Sequence, residues 1–406
     1  MGFAKQMMMQ EEEDRACGYS LPESGEKFLC SCHFSNPYLR EYIENNGNEG
    51  KCSYCGHGGR VLDLKDFVEF VGGRLSEYLQ DLDSADLPLA SGLFEDDQED
   101  IPGVRRIGPY MVSKGADYFE SNDEALDCFD LEPDSKKLYD DLSACLHLEY
   151  KIRRDPNSPL MSEELAYLWS QFSDLVKRKQ RYTFFHSSLF DEPSIEHSPN
   201  GLSDILSEIG TLVHKVERTV PKGTLLYRGR PTCSKGTVTC FNDLTSPPAK
   251  CAKVNRLSPA GISMFYGSFE PDTPIEEIRH YSNDPFIYLG HFETTKELCV
   301  VNLCDLPEID FWMPYGWQEF GFLSHFHNEI SKQISREDNP DVEYIPSQIF
   351  TEYVRCLCRA STGKSYDGII YRSSLTGRKN VVLFYDCDKS AEILRLVKDP
   401  DEHIFE

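Results

Sequence analysis

Apolar side chains recur at helical spacing in two stretches of the first half of the chain. Residues 61–82 carry them three and four positions apart, on one face of a predicted helix: Leu64, Phe67, Val68, Val71, Leu75, Tyr78 and Leu79. Residues 162–177 repeat this spacing, with Ser162 as the predicted N-cap and acidic residues in the first turn. We expect helices from about residue 105 to residue 215.

Beyond a predicted turn at residues 221–223, short β-rich runs dominate. They lie at 225–227, 262–266, 299–303, 369–371 and 381–385. Further helices are expected over 202–216 and 346–357, and short helices between the strands. Because helices dominate one part of the chain and strands the other, the predicted class is α+β. We predict three domains, covering residues 1–60, 61–215 and 216–406.

Composition and charge narrow the function classes. The 406-residue chain is 40% hydrophobic and holds 21 Tyr and 24 Phe, which is enough for well-packed cores. Its formal net charge of −26 argues against a broad nucleic-acid surface, since such surfaces neutralise phosphates with Lys and Arg. No apolar run approaches the roughly 18 residues of a membrane span, and residues 1–16 lack the apolar core of a signal peptide. We expect a soluble, cytoplasmic protein.

The 15 cysteines are therefore expected to be free thiols, some of them metal ligands. Cys52 and Cys55 form a Cys-x-x-Cys followed by glycine, and Cys30 and His33 have the same spacing, which is typical of zinc knuckles. We expect these four residues to bind a structural zinc ion, with Cys32 as the alternative to His33. A redox role for Cys52 and Cys55 is the rival interpretation.

Candidate catalytic groups cluster in residues 255–278. Arg256 lies in a turn that contains proline and glycine, an apolar run leads to Tyr266, and an acidic segment follows at 273–278. An arginine, an aromatic ring and a carboxylate in this order suit a phosphate clamp, a stacking platform and an anion around a small phosphorylated ligand.

Seven segments of the second half follow one another in the order of a known family. They lie at 226–230, 247–248, 256–266, 273–277, 344–348, 366–374 and 377–384. Together they resemble the RES domain family, bacterial toxins named for an Arg, a Glu and a Ser. The resemblance implies the split β-sandwich of ADP-ribosyltransferases, NAD⁺ as the substrate, and cleavage of its nicotinamide–ribose bond.

The resemblance also implies roles for single residues. Arg256 would grip the NAD⁺ diphosphate or an incoming phosphate, and Tyr266 would stack on nicotinamide. Glu277 would stabilise the cationic ribose that forms as the bond breaks. Ser373, in a Tyr-x-Ser sequence, would orient ribose or phosphate.

Four neighbouring residues complete this expected site. Glu276 is the alternative to Glu277, and Ser374 is the alternative to Ser373. Arg228 and Asn380 are the implied substrate-binding residues. The acceptor that attacks the ribose, whether water, phosphate or a protein side chain, is left open by the sequence.

The region before the RES-like part resembles the helical HEPN regions that are found fused to RES domains. Arg181 and His186 have the Arg-to-His spacing of HEPN ribonucleases, but Tyr182 replaces the small polar residue that active versions carry. We therefore expect a HEPN-like fold and interpret His186 as a packing residue.

These observations predict an NAD⁺-degrading bacterial toxin or defence effector, acting as a glycohydrolase or a phosphorylase. A protein mono-ADP-ribosyltransferase is the main alternative, followed by a HEPN-type ribonuclease and a non-catalytic scaffold. The expected ligands are NAD⁺, inorganic phosphate and a structural zinc ion, without a membrane or nucleic acid. An antitoxin or regulatory protein, and a second copy of the chain, stay open as partners.

Overall fold

The computed structural model resolves the chain into two compact units, Met1–Pro159 with Asp310–Trp317, and Leu160–Ile309 with Gln318–Glu406. The structure describes residues 17–22, 26–89, 104–184, 205–314, 316–334 and 339–404. The border between the units lies at residue 159, so the predicted boundaries at 60 and 215 stay predictions. Within the described ranges, no helix is both long and apolar enough to cross a bilayer.

The first unit contains small sheets and four helices within the described residues. Its helices are α1 (Pro37–Asn46), α2 (Leu64–Tyr78), α3 (Asn122–Cys128) and α4 (Lys136–Cys145). Its strands are β1 (Phe28–Cys30), β2 (Asn48–Lys51), β3 (Gly58–Asp63), β4 (Leu79–Asp81), β5 (Val104–Ile107), β6 (Tyr110–Ser113) and β7 (Lys151–Arg153). The strand order β1-β3-β2 forms one sheet, and β4 pairs with β7.

The predicted helix over 61–82 is confirmed for α2, but strands replace helix at both of its ends. The Asp63 side chain accepts a hydrogen bond from the Lys65 amide and begins the helix. The apolar face of α2 is buried with Trp312, whose indole N–H donates to the Phe129 carbonyl. The segment Asp310–Trp317 is thereby part of this core.

Helix was also expected at residues 104–113, and this expectation is wrong. Strands β5 and β6 form an antiparallel hairpin there. Gly108 in its turn has φ +55°, a left-handed conformation that glycine adopts without strain. In Val104–Ile107 two arginines lie between the apolar end residues, and Ile107 is the buried residue of the strand.

The second unit combines one large sheet with helices. Its helices are α5 (Met161–Arg178), α6 (Ile205–Leu212), α7 (Phe241–Leu244), α8 (Asp272–Tyr281), α9 (Trp317–Ser331), α10 (Pro340–Glu343) and α11 (Ile345–Cys356). Its strands are β8 (Glu217–Val220), β9 (Leu225–Thr232), β10 (Phe265–Ser268), β11 (Phe286–Thr294), β12 (Leu298–Asn302), β13 (Gly368–Arg372), β14 (Lys379–Leu383), β15 (Leu394–Leu396) and β16 (Asp401–Ile404).

These nine strands, counted within the described residues, form a curled mixed sheet. Its order is β15-β11-β9-β10-β14-β13-β12-β8, with β16 paired to β11. Strands β12 and β13 are parallel, while the other pairs are antiparallel. Strand β10 meets β9 at a single residue pair, Ser268 with Tyr227, and this narrow join is where a split β-sandwich would divide. The predicted α+β class is confirmed.

The two faces of the sheet bury different cores. Phe265, Val381 and Leu383 alternate onto one face and pack with Phe292. The opposite face packs against α5, α6, α9 and α11, whose buried aromatic residues include Trp169, Phe172, Phe326 and Phe350. The candidate active site lies at this helical face.

Two local expectations need correction. Ser162 is not the N-cap of α5, because the helix already includes Met161; the Glu163 carboxylate instead accepts from the Leu160 amide. The predicted strand at 262–266 begins only at Phe265, because the preceding residues form a turn in which Gly261 has φ +86°.

Candidate active site and metal site

A carboxylate held by two polar side chains forms the centre of the candidate active site. Glu277 projects from α8, and its Oε1 accepts a hydrogen bond from the Ser373 hydroxyl, just beyond β13. The same oxygen accepts from Asn380 Nδ2 at 2.8 Å, on β14. Ser373 and Asn380 lie far from Glu277 in sequence and both donate to its carboxylate. These two hydrogen bonds fix the orientation of the carboxylate.

The neighbouring Glu276 faces another way. Its carboxylate pairs with Arg378 at 3.0 Å, and the same guanidinium contacts Glu270 at 3.2 Å. Successive helix residues are rotated by about 100°, so only one of two adjacent glutamates can face Ser373. In this arrangement Glu277, rather than Glu276, faces the other candidate residues.

Strand register explains why Asn380 reaches this carboxylate. Asn380 lies opposite Ser268 on β10 and opposite Tyr371 on β13. Residues directly opposite in antiparallel strands project to the same face of the sheet. Tyr266, two positions before Ser268 on β10, projects to that face as well.

Tyr371 is a residue that we did not single out from the sequence. It is buried and interacts electrostatically with Glu277, Tyr266 and Arg256. Burial, reinforced by the Glu277 carboxylate, raises the pKa of Tyr371 well above its usual value, so its hydroxyl stays protonated at neutral pH. Its signal was the tyrosine of the Tyr-x-Ser sequence, two positions before Ser373.

Arg256 is held by the end of a helix. Its Nη1 donates to the carbonyls of Ile330 at 2.7 Å and Lys332 at 2.8 Å, at the C-terminus of α9. Its Nη2 donates to Ser374 Oγ at 3.1 Å, and its guanidinium lies 5.1 Å from the centre of the Tyr344 ring. Carbonyls at a helix C-terminus carry partial negative charge and attract a guanidinium, which fixes its position.

The second arginine and the tyrosine are joined through the backbone. Arg228, on β9, donates from Nη1 to the Tyr266 carbonyl at 2.9 Å and lies 5.5 Å from the Phe265 ring. Burial lowers the pKa of Arg228 to about 10, which still leaves it charged at neutral pH. The Tyr266 hydroxyl bonds with Ser258 Oγ at 2.8 Å.

The structure thus brings the six expected residues together in three linked groups. Glu277, Ser373 and Asn380 form the first group, Arg228 and Tyr266 form the second, and Arg256 reaches Ser374, the neighbour of Ser373. Tyr371 interacts with all three groups. A fixed carboxylate and two guanidinium groups grouped around Tyr371 and Tyr266 suit a ligand that carries both negative phosphates and a developing positive charge.

The candidate metal site lies in the first unit, at the end of β1 and in the turn between β2 and β3. The Cys30 sulfur lies 3.0 Å from that of Cys32 and 3.5 Å from that of Cys55. His33 Nε2 lies 3.3 Å from the Cys52 sulfur. The donor atoms of Cys30, Cys32, His33 and Cys55 all lie within 4.8 Å of one another. These four candidate ligands therefore converge, and Cys52 adjoins the group through its contact with His33.

The chemistry of this donor set fits zinc. Thiolate sulfur and imidazole nitrogen are the ligands of structural zinc sites, and four of them bind one ion. All 15 cysteines, each within the described residues, are free thiols. Residues Ser31–His33 form a short 3-10 turn that brings Cys30 and Cys32 to the same side, so Cys32 and His33 both stay candidates for the fourth position.

Asp134 is a further residue of the candidate metal site, and sequence spacing could not reveal it. Its Oδ1 lies 2.5 Å from His33 Nδ1, and its amide donates to the His33 carbonyl at 3.0 Å. Zinc-binding histidines commonly place their second ring nitrogen on a carboxylate, which orients the ring. This contact favours His33 as a ligand through Nε2.

The ribonuclease motif can be followed only in part. Arg181 is exposed, at the end of the segment after α5, and the side chain of Tyr182 is 83% exposed. His186 lies outside the described residues, so its interpretation as a packing residue stays a prediction.

Comparison with known proteins identifies two family models along the chain. Residues 226–403 match the RES domain, and residues 45–189 match HEPN/RES N-terminal domain 1. Both resemblances expected from the sequence are thus confirmed. No curated protein matches the chain.

Among solved structures, a chain of the "Crystal structure of the M.tuberculosis MbcT-MbcA toxin-antitoxin complex" is 8% identical to this one. The alignment covers 48% of this chain and 91% of that chain, with a TM-score of 0.28. At this TM-score the likeness carries no argument about fold or function.

Proposed function

This chain carries a RES domain behind a HEPN/RES N-terminal domain, and from that premise we propose that it cleaves the nicotinamide–ribose bond of NAD⁺. The observation that carries the proposal is the Glu277 carboxylate, held by Ser373 and Asn380 in a site whose other residues include Arg228 and Arg256. Cleavage of the bond requires a carboxylate that stabilises the cationic ribose and positive groups that bind the phosphates.

The chemical step needs little proton transfer. When the bond between C1″ and the nicotinamide nitrogen breaks, its electron pair goes to that nitrogen and neutralises the pyridinium. The ribose then carries oxocarbenium-like positive charge, which the fixed Glu277 carboxylate stabilises. Water or phosphate adds to C1″; water releases a proton to the solvent, whereas phosphate adds as an anion.

The arginines would hold the diphosphate. Within the described residues, the hydrogen bonds of Arg256 engage Nη1 and Nη2, so its Nε–H is left to a phosphate oxygen. The planar guanidinium suits such a contact better than an ammonium group. Arg228 would add a second positive charge on the side of Tyr266, whose ring would face nicotinamide.

The test is direct. The purified full-length protein is incubated with NAD⁺, with and without phosphate, and nicotinamide, ADP-ribose and phosphorylated ADP-ribose are measured by chromatography. We expect nicotinamide release by the parent protein and almost none by Glu277→Gln, with Glu276→Gln as the matched control. A parent protein that releases no nicotinamide would overturn the proposal. Transfer of radiolabelled ADP-ribose to protein would instead identify a protein acceptor.

An enzyme that consumes NAD⁺ lowers the NAD⁺ level of the cell that produces the enzyme. We therefore propose that the active chain arrests bacterial growth. Induced expression of the parent chain should stop growth and lower cellular NAD⁺, while equal expression of Glu277→Gln should do neither. Growth arrest by both chains would separate toxicity from NAD⁺ cleavage.

We further propose that the first unit holds one structural zinc ion at Cys30, His33, Cys52 and Cys55. With four protein ligands the site is closed, so zinc would stabilise the fold there and take no part in the reaction. The 2.5 Å contact between Asp134 and His33 supports His33 over Cys32.

A further inference from the structure

We propose that Ser347 and Gln348, in the first turn of α11, are positioning residues that set both Arg256 and Tyr266. Ascribing a ligand-binding role to these two residues rests on the proposed function. The positioning itself rests on hydrogen bonds that cross about 90 residues of sequence.

Both side chains bond to the backbone of the turn that carries Arg256. Gln348 Nε2 donates to the Asn255 carbonyl at 2.8 Å and to the Ser258 carbonyl at 3.3 Å. The Ser347 hydroxyl lies 2.6 Å from the Arg256 carbonyl and 2.9 Å from that of Tyr344. These two side chains thus contact three carbonyls of the turn, those of Asn255, Arg256 and Ser258.

The turn has few bonds of its own. Asn255 and Ser258 exchange backbone hydrogen bonds of 2.9 Å and 3.3 Å, and the second of these is long. Ser347 and Gln348 are buried, with exposed fractions of 6% and 8%, and so is Ser258, whereas Asn255 is exposed. Removing the Ser347 hydroxyl would take away the donor of the Arg256 carbonyl, and removing Gln348 would leave the Asn255 and Ser258 carbonyls with their backbone bonds alone. Either loss would favour a shift of the turn.

The same turn controls two candidate site residues. Arg256 extends from it to the end of α9, while Ser258 Oγ holds the Tyr266 hydroxyl at 2.8 Å. Gln348 donates to the Ser258 carbonyl. Tyr344, the residue directly before α11, places its ring against the Arg256 guanidinium. The first turn of α11 therefore fixes the spacing between the phosphate-binding arginine and the aromatic ring.

The matched control lies on the same helix. Thr351 is fully buried, and its hydroxyl donates to the Ser347 carbonyl at 2.7 Å, a bond within α11. Thr351→Val removes a buried hydroxyl from α11 without removing a bond to the turn. It reports what a merely structural loss does to the enzyme.

The kinetic test compares Gln348→Leu and Ser347→Ala with Thr351→Val. We expect the KM for NAD⁺ to rise about tenfold in the first two, because the lost bonds shift a group that binds substrate in the ground state. Thr351→Val should lower the melting temperature and leave KM unchanged. Ser347→Thr keeps the hydroxyl and should restore KM. A KM that is unchanged in both Ser347→Ala and Gln348→Leu would overturn the proposal.

A second readout does not depend on activity. Phenylglyoxal modifies free guanidinium groups, and peptide mass spectrometry gives the rate at Arg256, with the exposed Arg395 as an internal reference. Gln348→Leu and Ser347→Ala should speed labelling of Arg256 and not of Arg395. If the parent protein does not cleave NAD⁺ but labelling responds, the proposed function fails and the positioning stands. If labelling stays at the parent rate in both variants, the positioning is refuted, whatever the enzyme does.

If Gln348→Leu does not fold, Ser347→Ala and its rescue by Ser347→Thr decide the question, since they differ only in one hydroxyl. Labelling and KM that respond to Ser347→Ala and recover in Ser347→Thr would support the proposal. A failure of the threonine to restore either would count against it.

Discussion

The candidate metal site and the candidate active site differ in how far apart their residues lie in the sequence. The five candidate metal ligands lie within residues 30–55, at the end of one strand and in the turn between two others. The six candidate active-site residues are spread from Arg228 to Asn380 and meet only because strands β10, β14 and β13 pair in one register. The first site is fixed by short turns, the second by the packing of a whole sheet.

This difference has consequences for energetics. A metal site that lies in short turns contributes its stability where the ligands lie, and metal and fold are lost together. A site assembled across a sheet can lose one side chain and keep its fold, because the surrounding core holds the backbone. We therefore expect stability effects in the first unit and rate effects in the second.

The largest effect is expected from removing two metal ligands. In Cys52→Ser, Cys55→Ser we expect loss of zinc and a fall in the unfolding free energy of that unit on the order of several kcal/mol. Metal analysis and calorimetry of the full chain measure both. The matched control, Cys17→Ser, Cys128→Ser, replaces two exposed thiols of the same unit. If Cys52→Ser, Cys55→Ser melts at the parent temperature, the expectation that the first unit depends on its metal ligands for stability is wrong.

Next in size is Glu277→Gln, which keeps the shape of the side chain and an oxygen that can accept from Ser373 and Asn380. It removes the charge that stabilises the transition state, so kcat should fall by about 10²–10³. NAD⁺ binding, measured by calorimetry, should change less than threefold or so, and the melting temperature should stay close to that of the parent. A large loss of binding with unchanged kcat would make Glu277 a binding residue instead.

Much of the sheet was predictable, and the reasons for the misses are local. Strands β12, β13 and β14 are nearly continuous apolar runs, and each was expected within one or two residues. Strand β11 was missed, although it is the longest strand of the sheet among the described residues. It mixes Gly290, His291 and Glu293 with aromatic residues and so lacks a clear period.

The two sites also differ in how much of each could be predicted from the sequence. The spacing of Cys52 and Cys55 sufficed to predict a knuckle, because a short turn determines where both sulfurs lie. Asp134 could not be found, because it lies 101 positions from His33 and only tertiary packing joins them. Tyr371 and Gln348 belonged to segments of the family resemblance, but only the structure relates them to Glu277 and Arg256.

Asp134 gives a smaller effect that sharpens the comparison. Asp134→Ala removes the partner of His33 Nδ1. Losing such a partner lowers metal affinity by about 10–100-fold. We expect the lower value, about tenfold, because the Asp134 carboxylate is 69% exposed. Competition with a fluorescent chelator measures it, and Asp127→Ala, an exposed carboxylate of the same unit, is the control. Unchanged affinity in Asp134→Ala would point to Cys32 rather than His33 as the fourth ligand.

The smallest effect is expected at Glu276, the immediate neighbour of the residue with the largest rate effect. Its ion pair with Arg378 is partly exposed, and solvent weakens such pairs, so Glu276→Gln should barely change the melting temperature. Since its side chain is directed to Arg378 and away from Ser373, kcat and KM should stay within about twofold of the parent. Arg378→Ala breaks the same pair and also the contact with Glu270, and it should likewise leave kcat and KM within about twofold of the parent. If Glu276→Gln abolished turnover while Glu277→Gln did not, the carboxylate bonded to Ser373 and Asn380 would be structural, and the reaction would take place on the Arg378 side of α8.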